Sequence, residues 1–228
     1  MLRKLLAFIL LLPSGVAFAH EPAEPAFNVI NLQAQSTREV ENDLLQATLY
    51  VELEDRDTAR LADSINRTIQ QALHTAGEYK AIKVKTGNYQ TFPVYDKKQI
   101  VQWRARHEIH IESGDFSAAT SLIGKLQASM QLAGLSFSVS PGLRQKSENS
   151  LITDAVGAFR LRADVIRTSL KASSYKIQTL NINTSEGYTQ PGFSLRTMAA
   201  VPAQVTPPET EAGTSRITVT VSGTIQLE

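Results

Sequence analysis

The chain is predicted to be an α+β protein, and three features of its pattern predict it. Residues 99–112 alternate almost without fault. Val101, Trp103, Ala105, His107, Ile109 and Ile111 fall on one side; Gln102, Arg104, Arg106, Glu108, His110 and Glu112 fall on the other. Successive strand side chains point to opposite faces, so this is a strand with one apolar and one charged face. Residues 45–53 alternate as cleanly, with Leu45, Ala47, Leu49, Val51 and Leu53 set against Gln46, Thr48, Tyr50 and Glu52. Between and beyond these strands, apolar residues recur at three- and four-residue spacing, the period of a helix that buries one side.

Taken in order, 27–36 reads as a strand with Ile30, Leu32 and Ala34 on one face. After the 45–53 strand, Asp55 or Asp57 is placed to cap a helix N-terminus by accepting from its free backbone N–H groups. The helix stripe is Leu61, Ile65, Ile69, Ala72, Leu73 and Ala76, and Gly77 offers a left-handed closing residue. Residues 81–95 form a strand whose Pro93 belongs at an edge. The polar turn 96–98 leads into the 99–112 strand. Gly114 and Asp115 open a second helix with the stripe Phe116, Ala119, Leu122, Ile123, Leu126 and Met130, stopped by Gly134. Leu135, Phe137 and Val139 make a short strand that Pro141-Gly142 ends. A long helix over 145–172 carries Leu151, Ala155, Phe159, Ile166 and Leu170 along one side. A strand follows at 175–184. The stretch 186–213 holds Pro191, Pro202, Pro207 and Pro208 with no periodicity and reads as a long loop. Ile217, Val219, Val221, Ile225 and Leu227 alternate in a closing strand.

Between 45 and 140 the order is strand, helix, strand, strand, helix, strand, which is the split β-α-β-β-α-β order of ferredoxin-like domains. That topology sets 45–53 and 99–112 side by side at the sheet centre, with both helices on one face. The strand 27–36, the long helix and the two C-terminal strands form a second small layer that brings the chain ends together. Residues 27–228 are thus expected as one domain, with 45–140 as its core and 27–36 plus 145–228 as the second layer.

The first 19 residues read as an export signal rather than as structure. Arg3 and Lys4 precede an apolar run from Leu5 to Leu12, and Ala17-Phe18-Ala19 is a small-x-small cleavage site. The run is far short of the roughly 20 residues that span a bilayer. The mature chain is expected to start at His20, followed by a flexible leader over 20–26, with no transmembrane segment and a periplasmic address that allows outer-membrane association. Removing Arg3 and Lys4 leaves 21 basic against 22 acidic residues, a net charge of −1, so bulk charge gives no case for nucleic acid. The chain has no cysteine, which excludes disulfides, thiol nucleophiles and thiolate metal sites.

No residue set announces a reaction. His107 and His110 are three apart on a strand and so face opposite ways, which prevents joint chelation of one ion. A cleaved His20 would offer copper a free amine and an imidazole, but Glu21-Pro22 does not complete a stronger site. Arg104, Arg106, Lys83, Lys85, Arg160 and Arg162 suggest an acidic ligand, yet Glu108, Glu112 and Asp164 lie among them. There is no Gly-x-Ser-x-Gly elbow, phosphate loop or dinucleotide fingerprint. The expectation is no catalytic, cofactor or metal residue. The charged face of the central strands is the better candidate. Tyr50, Arg104, Arg106, Glu108, His110 and Glu112 share it and put both signs of charge beside an aromatic, which suits a self-complementary contact in a homo-oligomer. The competing expectation is a monomer whose second layer covers that face.

Several motifs, in this order, resemble the SIMPL-domain family. They are Leu73-His-Thr-Ala-Gly77; Ile82-Lys-Val-Lys-Thr86-Gly-Asn-Tyr89 with Tyr95; Trp103-Arg-Ala-Arg106; Gly134-Leu-Ser-Phe-Ser-Val-Ser; the Ala/Arg-rich Asp154–Ala163 helix; and the terminal Thr218–Val221 strand. The chain departs from the family in having no Gly over 27–36 and no Leu-Gly step after Leu170. The resemblance implies a periplasmic or envelope protein acting through self-assembly or a partner in the envelope, some members forming large rings. It also implies, as the alternative, a part in oxidative-stress defence. A periplasmic enzyme is the weaker reading. The resemblance carries over no catalytic residue.

Overall fold

The structure, a computed structural model, describes residues 27–187 and 212–228. The signal pattern, the leader with His20, and the greater part of the expected loop lie outside the described residues. The elements are β1 (Val29–Glu41), β2 (Leu44–Asp55), α1 (Thr58–Ala76), β3 (Lys83–Asp96), β4 (Gln99–Ser113), α2 (Phe116–Leu126), β5 (Gln131–Ser138), α3 (Pro141–Ser169), β6 (Tyr175–Gly187) and β7 (Thr214–Leu227).

They form two antiparallel sheets, ordered β3-β4-β2-β5 and β1-β7-β6. The first has the ferredoxin-like order, with β2 and β4 at its centre. Their alternation explains why. Leu45, Leu49, Ile109 and Ile111 are fully buried on the face that α1 and α2 cover, where Leu61, Ile65, Leu122 and Ile123 meet them. The second sheet has its own core. Phe159, Leu151 and Ala155 of α3 lie on Ala34 of β1 and on Ile217, Val219, Val221 and Ile225 of β7. The two clusters share no residue.

The chain crosses between the units at Asn42-Asp43 and again at Val139-Ser140. Asp43 ties the crossings together: its two carboxylate oxygens accept from Ser140 N at 2.6 Å and Ser140 Oγ at 2.7 Å. Asn42 fixes the other side, donating from Nδ2 to Ala212 O at 2.7 Å and accepting from Ser215 Oγ at 2.7 Å.

Several boundaries differ from the sequence reading for local reasons. Asp57 caps α1, accepting from Ala59 N and Arg60 N, while Asp55 accepts from Asp57 N and pairs with Arg60. Gly77 closes α1 in right-handed conformation, its N–H donating to Leu73 O and His74 O, so no left-handed cap is used. α2 ends at Leu126 rather than near Gly134. Met130 is buried from the following turn, and Gly134 lies inside β5. α3 starts at Pro141, where Ser140 accepts from Leu143 N and proline occupies the first turn, so Pro141-Gly142 opens a helix as well as ending a strand. β1 runs on to Glu41 because all 13 of its residues pair with β7, its polar end included.

Trp103 also sits differently from a central core residue. It lies opposite Asp55, at the outer end of β2, and is only partly buried against the first core. Phe159 is 0% exposed at the middle of the second core. Phe159→Ala is therefore expected to cost about 3–5 kcal/mol, and Trp103→Ala about 2 kcal/mol. Denaturant melts of both variants check the ranking, which equal losses or a larger loss for Trp103→Ala would contradict.

Candidate functional site

Strand alternation sends one set of β2, β3, β4 and β5 side chains away from the helices. Among the described residues, no element of the three-stranded unit makes an extensive contact with this sheet. The register converts the sequence into rows. Thr48 stands opposite His110, which stands opposite Lys85. Gln46 stands opposite Glu112, which stands opposite Lys83; Tyr50 opposes Glu108, Glu52 opposes Arg106, and Glu54 opposes Arg104.

All six residues expected at an interface therefore lie on this one open face. Their charges are matched along it. Arg104 donates from Nε to Glu54 at 2.6 Å and lies 3.7 Å from Glu52, and Gln102 also donates to Glu54. Arg106 reaches Glu108 at 2.9 Å and stacks over the Tyr50 ring at 3.7 Å. The Tyr50 hydroxyl donates to Gln131 at 2.6 Å. Lys83 pairs with Glu112 at 3.3 Å, and this hydrogen bond holds the Glu112 carboxyl below its ordinary range. Four cations, Lys83, Lys85, Arg104 and Arg106, thus face four carboxylates, Glu52, Glu54, Glu108 and Glu112.

His110 is fixed at one end of the face. Its Nδ1 lies 3.1 Å from Thr48 Oγ1, and its ring lies over Gly87, where a Cβ would overlap the imidazole. It lines a shallow depression of about 590 Å3 with Gln46, Thr48, Lys83, Lys85, Glu112 and Ser136. His107 lies on the opposite, helix-side face, edge-on to Tyr89. The two histidines do not converge. Arg160 and Arg162 are on α3, in the other unit, and Arg162 donates to Gln33 O of β1. The six-residue cation set raised by the sequence is thus split between the two units.

Glu52, Glu54, Gln131 and Gly87 complete the face and were not among the interface residues expected from sequence. Glu52 and Glu54 continue the Gln46-Thr48-Tyr50 alternation, so the signal was present; their pairing with Arg104 depends on the register. Chemically, the face offers rows of opposite charges, an aromatic at its centre and a hydroxyl–imidazole contact between Thr48 and His110.

Fold and face define an α+β protein of two sheet-and-helix units whose four-stranded sheet turns a charge-bearing face, uncovered by any described residue, away from its helices. Residues 30–225 match the profile of the SIMPL family, described as a protein of unknown function (DUF541), and the chain belongs to that family. Comparison with curated proteins gives no match. Among the described residues, no helix is long and apolar enough to cross a membrane.

His107 supplies a test of the helix-side packing. Its Nδ1 is buried without a hydrogen-bond partner among the described residues, and desolvation lowers its pKa. As pH falls through the ordinary histidine range, near 6.5, the unfolded chain gains a proton that the folded chain resists. Stability therefore falls with pH in that window. The wild-type melting temperature is expected to drop more than that of His107→Phe between about pH 7 and pH 5.5. Equal drops would show that His107 is solvated.

Proposed function

We propose that this chain is a non-enzymatic, exported envelope protein that works by self-assembly through the open face of its four-stranded sheet. The observation that carries this reading is the internally neutralised face centred on Tyr50 and Arg106, which no described residue covers. A surface with unmatched charge resists burial because each ion loses its hydration. Here each carboxylate already has a cation beside it, so a second copy meets a polar surface of no net charge. Export is supported by the signal pattern over 1–19. Self-association gives a homo-oligomer, and the same surface would serve an envelope protein partner.

The expected disruption by Arg104→Glu with Arg106→Glu is less clean than the sequence suggests. A carboxylate introduced at position 104 would crowd Glu52 and Glu54 within one chain and weaken the monomer as well. Ser136→Arg avoids this, since Ser136 is exposed beside Gln46 on the same face and its side chain has no hydrogen-bond partner among the described residues. The purified chain is expected to show a multiple of the single-chain mass by light scattering. Ser136→Arg is expected to weaken assembly at least about tenfold with the melting temperature almost unchanged, as for an ordinary surface substitution. A single-chain mass at every concentration would contradict self-assembly. An oligomer indifferent to Ser136→Arg would move the contact elsewhere.

A further inference from the structure

We propose that the tip of the β3–β4 hairpin is a docking element for an anionic phospholipid surface. β2 ends at Asp55, opposite Trp103, but β3 and β4 continue as a two-stranded arm through Val94–Tyr95 and Ile100–Gln102. At the rise of a strand, the turn stands about 10 Å beyond the last three-stranded row. The arm ends in large apolar side chains that neither core uses: Tyr95 is 61% exposed, Ile100 48% and Val101 42%.

The turn between them is built against local preference. Lys97 and Lys98 form a two-residue connection with φ of 47° and 73°, and these are two of only four non-glycine residues with positive φ among the described residues. Such hairpin turns favour Asn-Gly, because the left-handed region crowds a Cβ. Two lysines there give up stability for charge at the apex. Neither has an ion-pair or hydrogen-bond partner among the described residues. Asp96 precedes them, leaving the apex with one excess positive charge.

Charge and apolar surface then point to one occupant. A protein interface concentrates apolar groups at its centre and depletes lysine there, whereas here the lysines sit at the apex of the apolar arm. Lipid headgroups suit that order. Aromatic and aliphatic side chains enter the headgroup–acyl boundary, about 5–10 Å deep, while lysines fold back to phosphates. The depth matches the length of the arm. Its free backbone edges stay in the hydrated headgroup layer, where water satisfies them. This surface adjoins the sheet face proposed for assembly, but its turn and apolar tip lie beyond the last row of that face, and the vesicle and particle-mass readouts tell the two proposals apart.

The test uses the chain from residue 20 onward, which keeps every described residue and removes the apolar start that would itself bind lipid. Flotation with vesicles of phosphatidylglycerol and phosphatidylcholine is compared with phosphatidylcholine alone. The wild type is expected to float with the anionic vesicles only. Lys97→Asn with Lys98→Gly is expected to raise the melting temperature by relieving the turn, yet to weaken vesicle binding about 25-fold, since each lysine near an anionic surface is worth about fivefold. Tyr95→Ser with Ile100→Ser is expected to abolish flotation while leaving the circular dichroism spectrum unchanged. In a Trp103→Phe background, Ile100→Trp is expected to be quenched by brominated acyl chains. A wild type that does not float, tip variants that float as well as wild type, or tip variants that change only particle mass would each overturn the proposal. The last result would make the arm a subunit contact.

Discussion

The carboxylate of Asp43, held by the backbone N–H and hydroxyl of Ser140, is the contact on which the arrangement depends. The chain passes between its two units twice, and this clasp pins both passages in one place. Ser140 is also the cap of α3, so the same residue fixes where the long helix starts and where it points. Asn42 then anchors the start of β7 through Ser215. Because each unit buries its own apolar cluster, neither needs the other as a lid. Among the described residues, the outer face of the four-stranded sheet is left uncovered as a result, and so is the far end of its β3–β4 hairpin.

An open sheet face of this size is a liability unless it is polar or partnered. Here it is polar in a particular way. Exposed ion pairs each contribute only about 0–1 kcal/mol, so the rows of Glu54–Arg104 and Glu112–Lys83 do little for stability by themselves. Their effect is on what the face admits. A cation stacked on Tyr50 and carboxylates each held by an arginine or Lys83 leave the face with no unpaired carboxylate. His110, locked between Thr48 and Gly87, gives one end of the face a fixed shape. The sheet edges differ in the same spirit. β3 carries Lys83, Lys85 and Pro93, and β5 is short, features that discourage indiscriminate strand pairing.

Much of this was legible in the sequence, because alternation reports faces directly. Leu45–Leu53 and Val101–Ile111 fixed the two central strands, and the order of elements fixed their neighbours. The six face residues followed from the same alternation. Register did not follow, since nothing local says that Glu54 rather than Glu52 lies opposite Arg104. Helix ends were obscured wherever spacing continued by coincidence. Met130 stands four residues after Leu126 and reads as the next turn of α2, but it reaches the same core from a turn. Thr37–Glu41 looks like a loop because its partners, the first residues of β7, are far away in sequence. The hairpin tip was read only as a polar turn, because the lysines are visible in sequence while the exposure of Tyr95 and Ile100 is not.

The central claim is that a single chain leaves the Tyr50–His110 face open to solvent. Hydroxyl-radical footprinting, read by mass spectrometry on the chain from residue 20 onward, tests it directly. At the greatest dilution, where the chain is single, His110 and Tyr50 should be modified, while Phe159 in the second core stays protected. Protection of His110 and Tyr50 in the single chain, as strong as that of Phe159, would mean that the chain covers this face itself, and would contradict the account.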